Sequence, residues 1–177
     1  MTPGRLSRPK NSAMNDVLPD PPRRVTGAEA AEISRVAIES KATWGYTREF
    51  IEACRDELTY TRDYIEMPGM EFWCVDDARG IAGFYGLSMQ DPQTSELDAL
   101  FVRPDRIGSG LGKFLIEHAK SRLAELGANT LVIQGDPNAE GFYTKAGGVQ
   151  TGTRESESIP DRFLPVYEIY LDSKQET

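Results

Sequence analysis

Apolar positions change period along the chain, and the changes mark out the elements. From Thr26 the spacing is helical: Ile33, Val36, Ala37 and Ile38 form an apolar run up to Trp44. Thr26, with Glu29 three residues on, has the form of a capping box. A loop at 44–46 follows, and Thr47 caps a second helix whose stripe is Phe50, Ile51, Cys54 and Leu58. The pattern then turns to strands over 71–75, 81–88 and 96–102, separated by turn-forming residues at 76–80 and 91–93. Connections this short admit no crossover, so the three strands are predicted to form an antiparallel meander.

Helical spacing returns at Leu111, Leu115, Ala119, Leu123 and Leu126, and Gly127 ends that helix. A short, wholly apolar strand covers 130–133. Such a strand–helix–strand unit implies a parallel pair buried on both faces. Asp136 and Pro137 read as the N-cap and first position of a short helix that runs to about 146 and stops at Gly147. Strands over 149–157 and 164–171 complete a mixed sheet. The order α-α-β-β-β-α-β-α-β-β predicts an α/β domain with helices flanking that sheet.

The first 24 residues break the pattern. They hold five prolines, five cations and two anions, which predicts a disordered extension over 1–24 and a single domain over 25–177. No run approaches the roughly 18 apolar residues of a membrane helix, and the first 30 lack the apolar core of a secretory signal. The expectation is a cytoplasmic protein with no membrane partner. Cys54 and Cys74 are too few for a disulfide scaffold and too far apart for a metal clip, so they are expected as buried thiols. His118 is the one histidine, placed mid-helix, and no metal site is expected. The net charge is −8, with +3 in the first 24 residues and −11 in the rest. An acidic body disfavours nucleic acid and suits a cationic acceptor such as an amine.

Gly108, Gly110 and Gly112 lie between a predicted strand and a predicted helix. Such a loop leaves backbone N–H groups free at the positive end of a helix dipole, a geometry that binds phosphate. A dinucleotide fingerprint would need glycine at 113, where Lys113 stands. A P-loop would need four residues between its glycines and Ser or Thr after the lysine. Gly108 and Gly112 enclose three, and Phe114 follows Lys113. The segment 102–112 instead resembles the pyrophosphate motif Q/R-x-x-G-x-G/A of the GNAT superfamily of acyl-CoA N-acyltransferases, with its glycines at Gly110 and Gly112. The chain departs from that pattern at Ile107, which stands in the Gln/Arg position, with Arg106 one residue earlier. Residues 136–143 resemble the asparagine-and-tyrosine helix after the fifth strand of that family. Gly147 matches its stop, and Gly148 stands where an aromatic is common. The resemblance runs from about 24 to 171.

The resemblance implies the GNAT fold, an antiparallel meander joined to a parallel β4/β5 pair, and acetyl-CoA as co-substrate. It implies that Ile107, Gly108, Ser109, Gly110, Leu111, Gly112 and Lys113 form the pyrophosphate loop. It also places the main chain of Phe101, Val102 and Arg103 along pantetheine, with the Val102 amide as an oxyanion donor, and puts Asn138 in contact with pantetheine. Residues 103–113 carry a net +2 within the acidic body, which favours the CoA phosphates.

Acyl transfer to an amine needs a proton acceptor, a stabilised oxyanion and a proton for the departing thiolate. The sequence offers no credible serine–histidine or cysteine–histidine pair, so direct attack by the amine in a ternary complex is expected. Family position makes Tyr143 the candidate acid. Glu96 and Asp98, two apart on a strand and expected to face one side with Leu100 and Val102, are the candidate bases; solvated strand-start carboxylates are the other reading. Trp44 and Tyr46 lie where the family lines its acceptor pocket, and Arg154, Arg162 and 158–160 are candidates for its other wall. The acceptor is a small-molecule amine or a protein amine. Two alternatives stay open: a catalytically silent CoA-binding sensor or structural module, for which Ile107 argues, and a homodimer, since many relatives dimerise.

Overall fold

The computed structural model describes residues 19–172. Its strands are β1 (Arg23–Arg24), β2 (Met70–Asp77), β3 (Gly80–Met89), β4 (Thr94–Val102), β5 (Thr130–Gln134), β6 (Val149–Glu155) and β7 (Phe163–Tyr170). Its helices are α1 (Ala30–Ala42), α2 (Arg48–Ala53), α3 (Arg62–Ile65), α4 (Leu111–Glu125) and α5 (Glu140–Lys145). The seven strands form one sheet in the order β1-β2-β3-β4-β5-β7-β6. β2, β3 and β4 are the antiparallel meander, and β4 runs parallel to β5. The final hairpin inserts β7, not β6, beside β5, an order that hydrophobic period does not encode.

The local signals act as their chemistry requires. Thr26 and Glu29 close the capping box, and the Thr47 hydroxyl accepts from the Phe50 amide at 3.1 Å. The second helix is shorter than its apolar stripe: α2 stops at Ala53, and turns carry Cys54 and Leu58 into the core. The four-residue α3 has too little periodicity to be read from sequence. Residues 1–18 of the expected extension lie outside the described residues. Arg23 and Arg24 pair with Cys74 and Trp73, so regular structure begins two residues before the expected boundary.

Two cores lie on the two faces of the sheet. On one, Leu115, Ala119 and Leu123 of α4 pack on Leu97, Val102, Leu131 and Ile133. On the other, Ile33, Val36 and Ala37 of α1 pack on Phe72, Phe84 and Ala99. β4 changes faces between them. Its register against β3 slips between Gly86 and Leu87, which pair with Ala99 and Leu97, leaving Asp98 as an extra residue in a β-bulge. Strict alternation therefore fails at this point. Leu97 lies on the α4 face, whereas Ala99 lies on the α1 face. This corrects the expectation that Glu96 and Asp98 share a face with Leu100 and Val102. The bulge returns those two side chains to the α4 side.

Candidate active site

The parallel pairing of β4 with β5 covers only Thr94, Ser95 and Glu96 against Thr130, Leu131 and Val132. Beyond Glu96 the two strands part, and β4 continues along β3 alone as far as Val102. The gap opens into a cleft of about 890 Å³. The glycine loop lies at one end, and Tyr60, Tyr64 and the Asp98 bulge line it elsewhere.

The ladder shows which β4 backbone groups face that gap. The Arg103 amide donates to the Ala82 carbonyl at 2.8 Å. Antiparallel ladders alternate bonded and non-bonded pairs, so Phe101 also bonds towards β3, while Leu100 and Val102 turn their N–H and C=O groups to the open side. The open edge thus consists of Leu100 and Val102, whereas the sequence pointed to Phe101, Val102 and Arg103. The Arg103 side chain is buried away from the cleft, on Asp77 at 2.6 Å and Asp105 at 2.6 Å. It keeps the Asp77 carboxyl down at about 2.

In the glycine loop, Gly108 (φ +80°) and Gly110 (φ +87°) adopt left-handed backbone, and Gly110 is the N-cap of α4. The first intrahelical bond is donated by Phe114 to Gly110. The amides of Gly110, Leu111, Gly112 and Lys113 therefore have no acceptor within the helix. Gly112 has a second reason to lack a side chain, since a Cβ there would stand 3.3 Å from the Phe142 ring. Ile107 is 47% exposed. Arg106 does not replace the missing Gln/Arg, because it is paired with Asp77 at 2.7 Å. The Ser109 hydroxyl donates to the Arg106 carbonyl at 2.6 Å, and Leu111 is buried in the core. Gly108, Gly110, Gly112 and Lys113 line the cleft, and the amide cradle fits an anionic pyrophosphate.

Tyr143, on α5, is 8% exposed and lines the cleft. Its ring packs on Tyr167 with centroids 5.7 Å apart, and its hydroxyl has no hydrogen-bond partner among the described residues. Burial, then the charge of Asp136, raises its pKa above the ordinary phenol value, so it carries its proton at neutral pH. Two glycines make its place. A Cβ on Gly135 would lie 3.1 Å from the Tyr143 ring, and one on Gly148 would lie 2.8 Å from the Tyr143 carbonyl oxygen. The glycine at 148 thus has a steric cause.

Asn138 follows Asp136, whose carboxylate accepts from the Asn138 amide N–H at 2.9 Å. The Asn138 side chain donates to the same carboxylate at 2.9 Å and to the Tyr46 hydroxyl at 3.0 Å. Tyr46 in turn stacks on Phe50 (4.1 Å) and accepts from Arg162 at 2.9 Å. Lys41, buried at the end of α1, reaches Asp136 at 3.3 Å. The structure thus joins Tyr46, Asn138 and Arg162 through Asp136, a residue that the sequence marked only as a cap. Trp44 stays 45% exposed at the cleft margin.

Glu96 and Asp98 both line the cleft. Glu96 is bridged by Arg154 at 2.6 Å. Asp98 accepts from the Tyr64 hydroxyl at 2.8 Å. Surrounding protein raises the Asp98 pKa, helped by the Glu96 and Glu157 charges, while the Tyr64 bond opposes the rise. Sequence period gives no signal for Tyr60, Tyr64 and Glu157: Tyr64 sits on the four-residue α3, while Tyr60 and Glu157 lie outside regular elements, before α3 and after β6. His118 lies outside the cleft lining, with its Nδ1 2.7 Å from the Tyr85 hydroxyl. Both cysteines are fully buried, and burial raises both thiol pKa values, Cys74 to about 12. Among the described residues no cluster of three or more His, Cys, Asp or Glu side chains could hold a metal ion, and no helix is long and apolar enough to cross a membrane.

Comparison with known proteins places this geometry. The family described as acetyltransferase (GNAT) domain matches residues 29–159. The peptidyl-lysine N-acetyltransferase YjaB of Escherichia coli K12 is 34% identical over 116 residues, 64% of this chain and 73% of that protein. A GCN5-related N-acetyltransferase structure from Rhodopseudomonas palustris superposes with a TM-score of 0.69 at 22% identity, covering 86% of this chain and 96% of that one. The PaiA N-acetyltransferase of Thermoplasma acidophilum, solved with coenzyme A, gives 0.67 at 19% identity over 85% of this chain and 98% of that one. The splayed pair, the glycine loop and the family match agree: the chain belongs to the GNAT acetyltransferase family and is an acetyl-CoA-dependent N-acetyltransferase.

Proposed function

We propose that this protein acetylates lysine side chains of proteins by direct attack of the amine on acetyl-CoA, in the cytoplasm, with residues 25–177 acting as one domain. The observation that carries the reading is that a free amide loop, an unpaired Tyr143 hydroxyl and Asp98 line one cleft. The pyrophosphate sits on the amides of residues 110–113, with Lys113 beside it, and pantetheine runs along the open edge of β4 at Leu100 and Val102. The Val102 N–H donates to the carbonyl oxygen as it becomes anionic.

The substrate amine loses its proton to Asp98, directly or through one water, and the raised pKa makes that carboxylate a better proton acceptor. Asp98 passes that proton to water, the nitrogen lone pair of the neutral amine forms the C–N bond at the thioester carbon, and the second N–H proton then leaves by the same carboxylate to water. As the C–S bond breaks, the sulfur takes the Tyr143 proton, and tyrosinate is reprotonated from solvent. A covalent enzyme intermediate has little support, because neither cysteine nor His118 lines the cleft. The lysine acceptor is supported by the likeness to YjaB, a peptidyl-lysine N-acetyltransferase.

The test is thiol release from acetyl-CoA with lysine peptides, their Nε-acetylated counterparts and small amines, followed by mass determination. Transfer to unmodified lysine peptides alone is the expected result. Release with small amines and none with peptides would overturn the protein acceptor. CoA binding without turnover on any amine would favour a silent CoA-binding module.

A further inference from the structure

One group in the cleft has no place in the mechanism above. Tyr60 is buried, 7% exposed, with its ring edge-on to Phe72 (5.4 Å) and Phe84 (5.6 Å). Its backbone is pinned to α1: the Tyr60 amide donates to the Ser34 hydroxyl at 2.8 Å, which itself donates to the Ala30 carbonyl at 2.7 Å. Yet the Tyr60 hydroxyl has no hydrogen-bond partner among the described residues. No side-chain polar atom among them is sealed from solvent without a partner, so this hydroxyl keeps some access to solvent, and Tyr60 lines the cleft beside Asp98 and Tyr64.

Packing alone asks for the ring and not for the hydroxyl, since phenylalanine would fill the same space against Phe72 and Phe84. Its surroundings show what the hydroxyl is for. Asp98, Tyr64 and Glu57 are close enough to raise its pKa, after burial. Tyr64 bonds to Oδ1 of Asp98, which leaves Oδ2 without a partner. Glu57 acts on Tyr60 and Glu157 on Tyr64, both line the cleft with Asp56, and none of the three has an ion pair among the described residues. The neighbouring cation, Arg154, is committed to Glu96. The cleft is thus polarised, with Lys113 and free amides at the loop end and unpaired carboxylates around the tyrosines. An ammonium carries three donors and no acceptor, and it fits a phenol oxygen beside a free carboxylate oxygen.

We infer that Tyr60 and Asp98 receive the acceptor's ammonium, and that Asp56, Glu57 and Glu157 select lysines flanked by further basic residues. This rests on the protein-lysine reading and narrows it to cationic segments. Tyr60 is a binding group here, holding the ammonium before deprotonation.

The test compares three peptides with one central lysine, flanked by arginines, by alanines or by glutamates, as kcat/KM at low and raised salt. The full chain should favour the arginine-flanked peptide over the alanine-flanked one by about tenfold, equal to about 1.4 kcal/mol, and the ratio should shrink as salt rises. Tyr60→Phe should raise the KM for all the peptides severalfold with little change in kcat. The double change Glu57→Gln with Glu157→Gln should bring the ratio close to one. Acetyl-CoA affinity measured by calorimetry reports that each variant is folded. Equal rates on the arginine- and alanine-flanked peptides, or a ratio unmoved in the double variant, would overturn the inference while leaving lysine acetylation standing. Failure of every peptide, with small amines acetylated, would overturn the lysine reading and this inference together.

Discussion

Tyr46 and Asp136, 90 residues apart, are joined by a 2.8 Å hydrogen bond from the phenol to the carboxylate. That bond ties the α1–α2 loop to the β5–α5 turn, and Arg162 adds the β6–β7 loop by donating to the same phenol. The three segments that wall one side of the cleft therefore meet at one oxygen.

Removing that oxygen should loosen all three. Tyr46→Phe leaves Asp136 and Arg162 each short of a partner, a cost of about 1–3 kcal/mol. Denaturant unfolding at neutral pH measures it. The sign with pH follows from Asp136. Burial alone would raise its carboxyl pKa, but the Asn138 amide, Tyr46 and Lys41 together hold it below the ordinary value. A lowered folded pKa gives stability that is present above the unfolded value and lost as pH falls through the folded one. The difference between wild type and Tyr46→Phe should thus be largest at neutral pH and narrow as pH drops below about 4. A constant difference would show that Asp136 does not feel the phenol.

The glycine loop separates backbone strain from charge. Gly110 has a positive φ, but nothing lies within 4 Å of the place where a Cβ would go. Gly110→Ala should therefore cost only the left-handed backbone, about 1 kcal/mol of stability. Gly110→Asp adds a carboxylate at the anion cradle and should lower CoA affinity at least about tenfold, or about 1.4 kcal/mol. Calorimetric titration of both variants checks this. Equal affinity for the aspartate and alanine forms would remove the loop from the pyrophosphate site.

Much of this was legible in the chain. The glycines, Asp136, Asn138 and Tyr143 are close in sequence to the turns they shape, so local pattern carries them. The mixed sheet followed from connection lengths. What was not legible depends on register. The bulge at Asp98 reassigns every later β4 residue to the other face, and a period of two cannot show a one-residue slip. Whether the backbone groups of Phe101 or of Leu100 turn to the open edge is a property of the β3 partner. Tyr60 is held by contacts remote in sequence, its amide by Ser34 on α1, 26 residues away, and its ring by Phe72 and Phe84.

Asp77 supports the site from below. It accepts from Arg103 at 2.6 Å and from Arg106 at 2.7 Å, at the end of the strand that forms the open edge. Asp77→Asn should leave the buried Arg103 dependent on Asp105 and cost about 1–3 kcal/mol at neutral pH. Because Arg103 first, and then the Arg79 amide, hold the Asp77 pKa at about 2, the wild-type increment is complete above the ordinary aspartate value and fades towards pH 2. Thermal melts between pH 7 and 3 should show the variant losing less stability on acidification. A parallel loss would place the acid sensitivity elsewhere.

The decisive residue for chemistry is Tyr143. Its ring is fixed by Tyr167 and by the space that Gly135 and Gly148 leave, so Tyr143→Phe should keep the packing and remove only the proton. Acetyl-CoA affinity should stay within about twofold, since the ring supplies the contact area. Turnover should fall by about 10²-fold, the scale of losing one general acid. The pH profile gives a second reading. Burial and the Asp136 charge raise the phenol pKa, so the wild-type rate should show no alkaline decline from this group until pH exceeds the ordinary tyrosine value of about 10. Asp98 sets the other limb, where its raised pKa predicts a rate that falls on acidification somewhat above the usual carboxylate range, and that limb should survive in Tyr143→Phe. A loss of less than about threefold in turnover, with both limbs unmoved, would make Tyr143 a packing residue. The thiolate would then leave unaided, and Asp98 would carry the acid–base chemistry of the cleft alone.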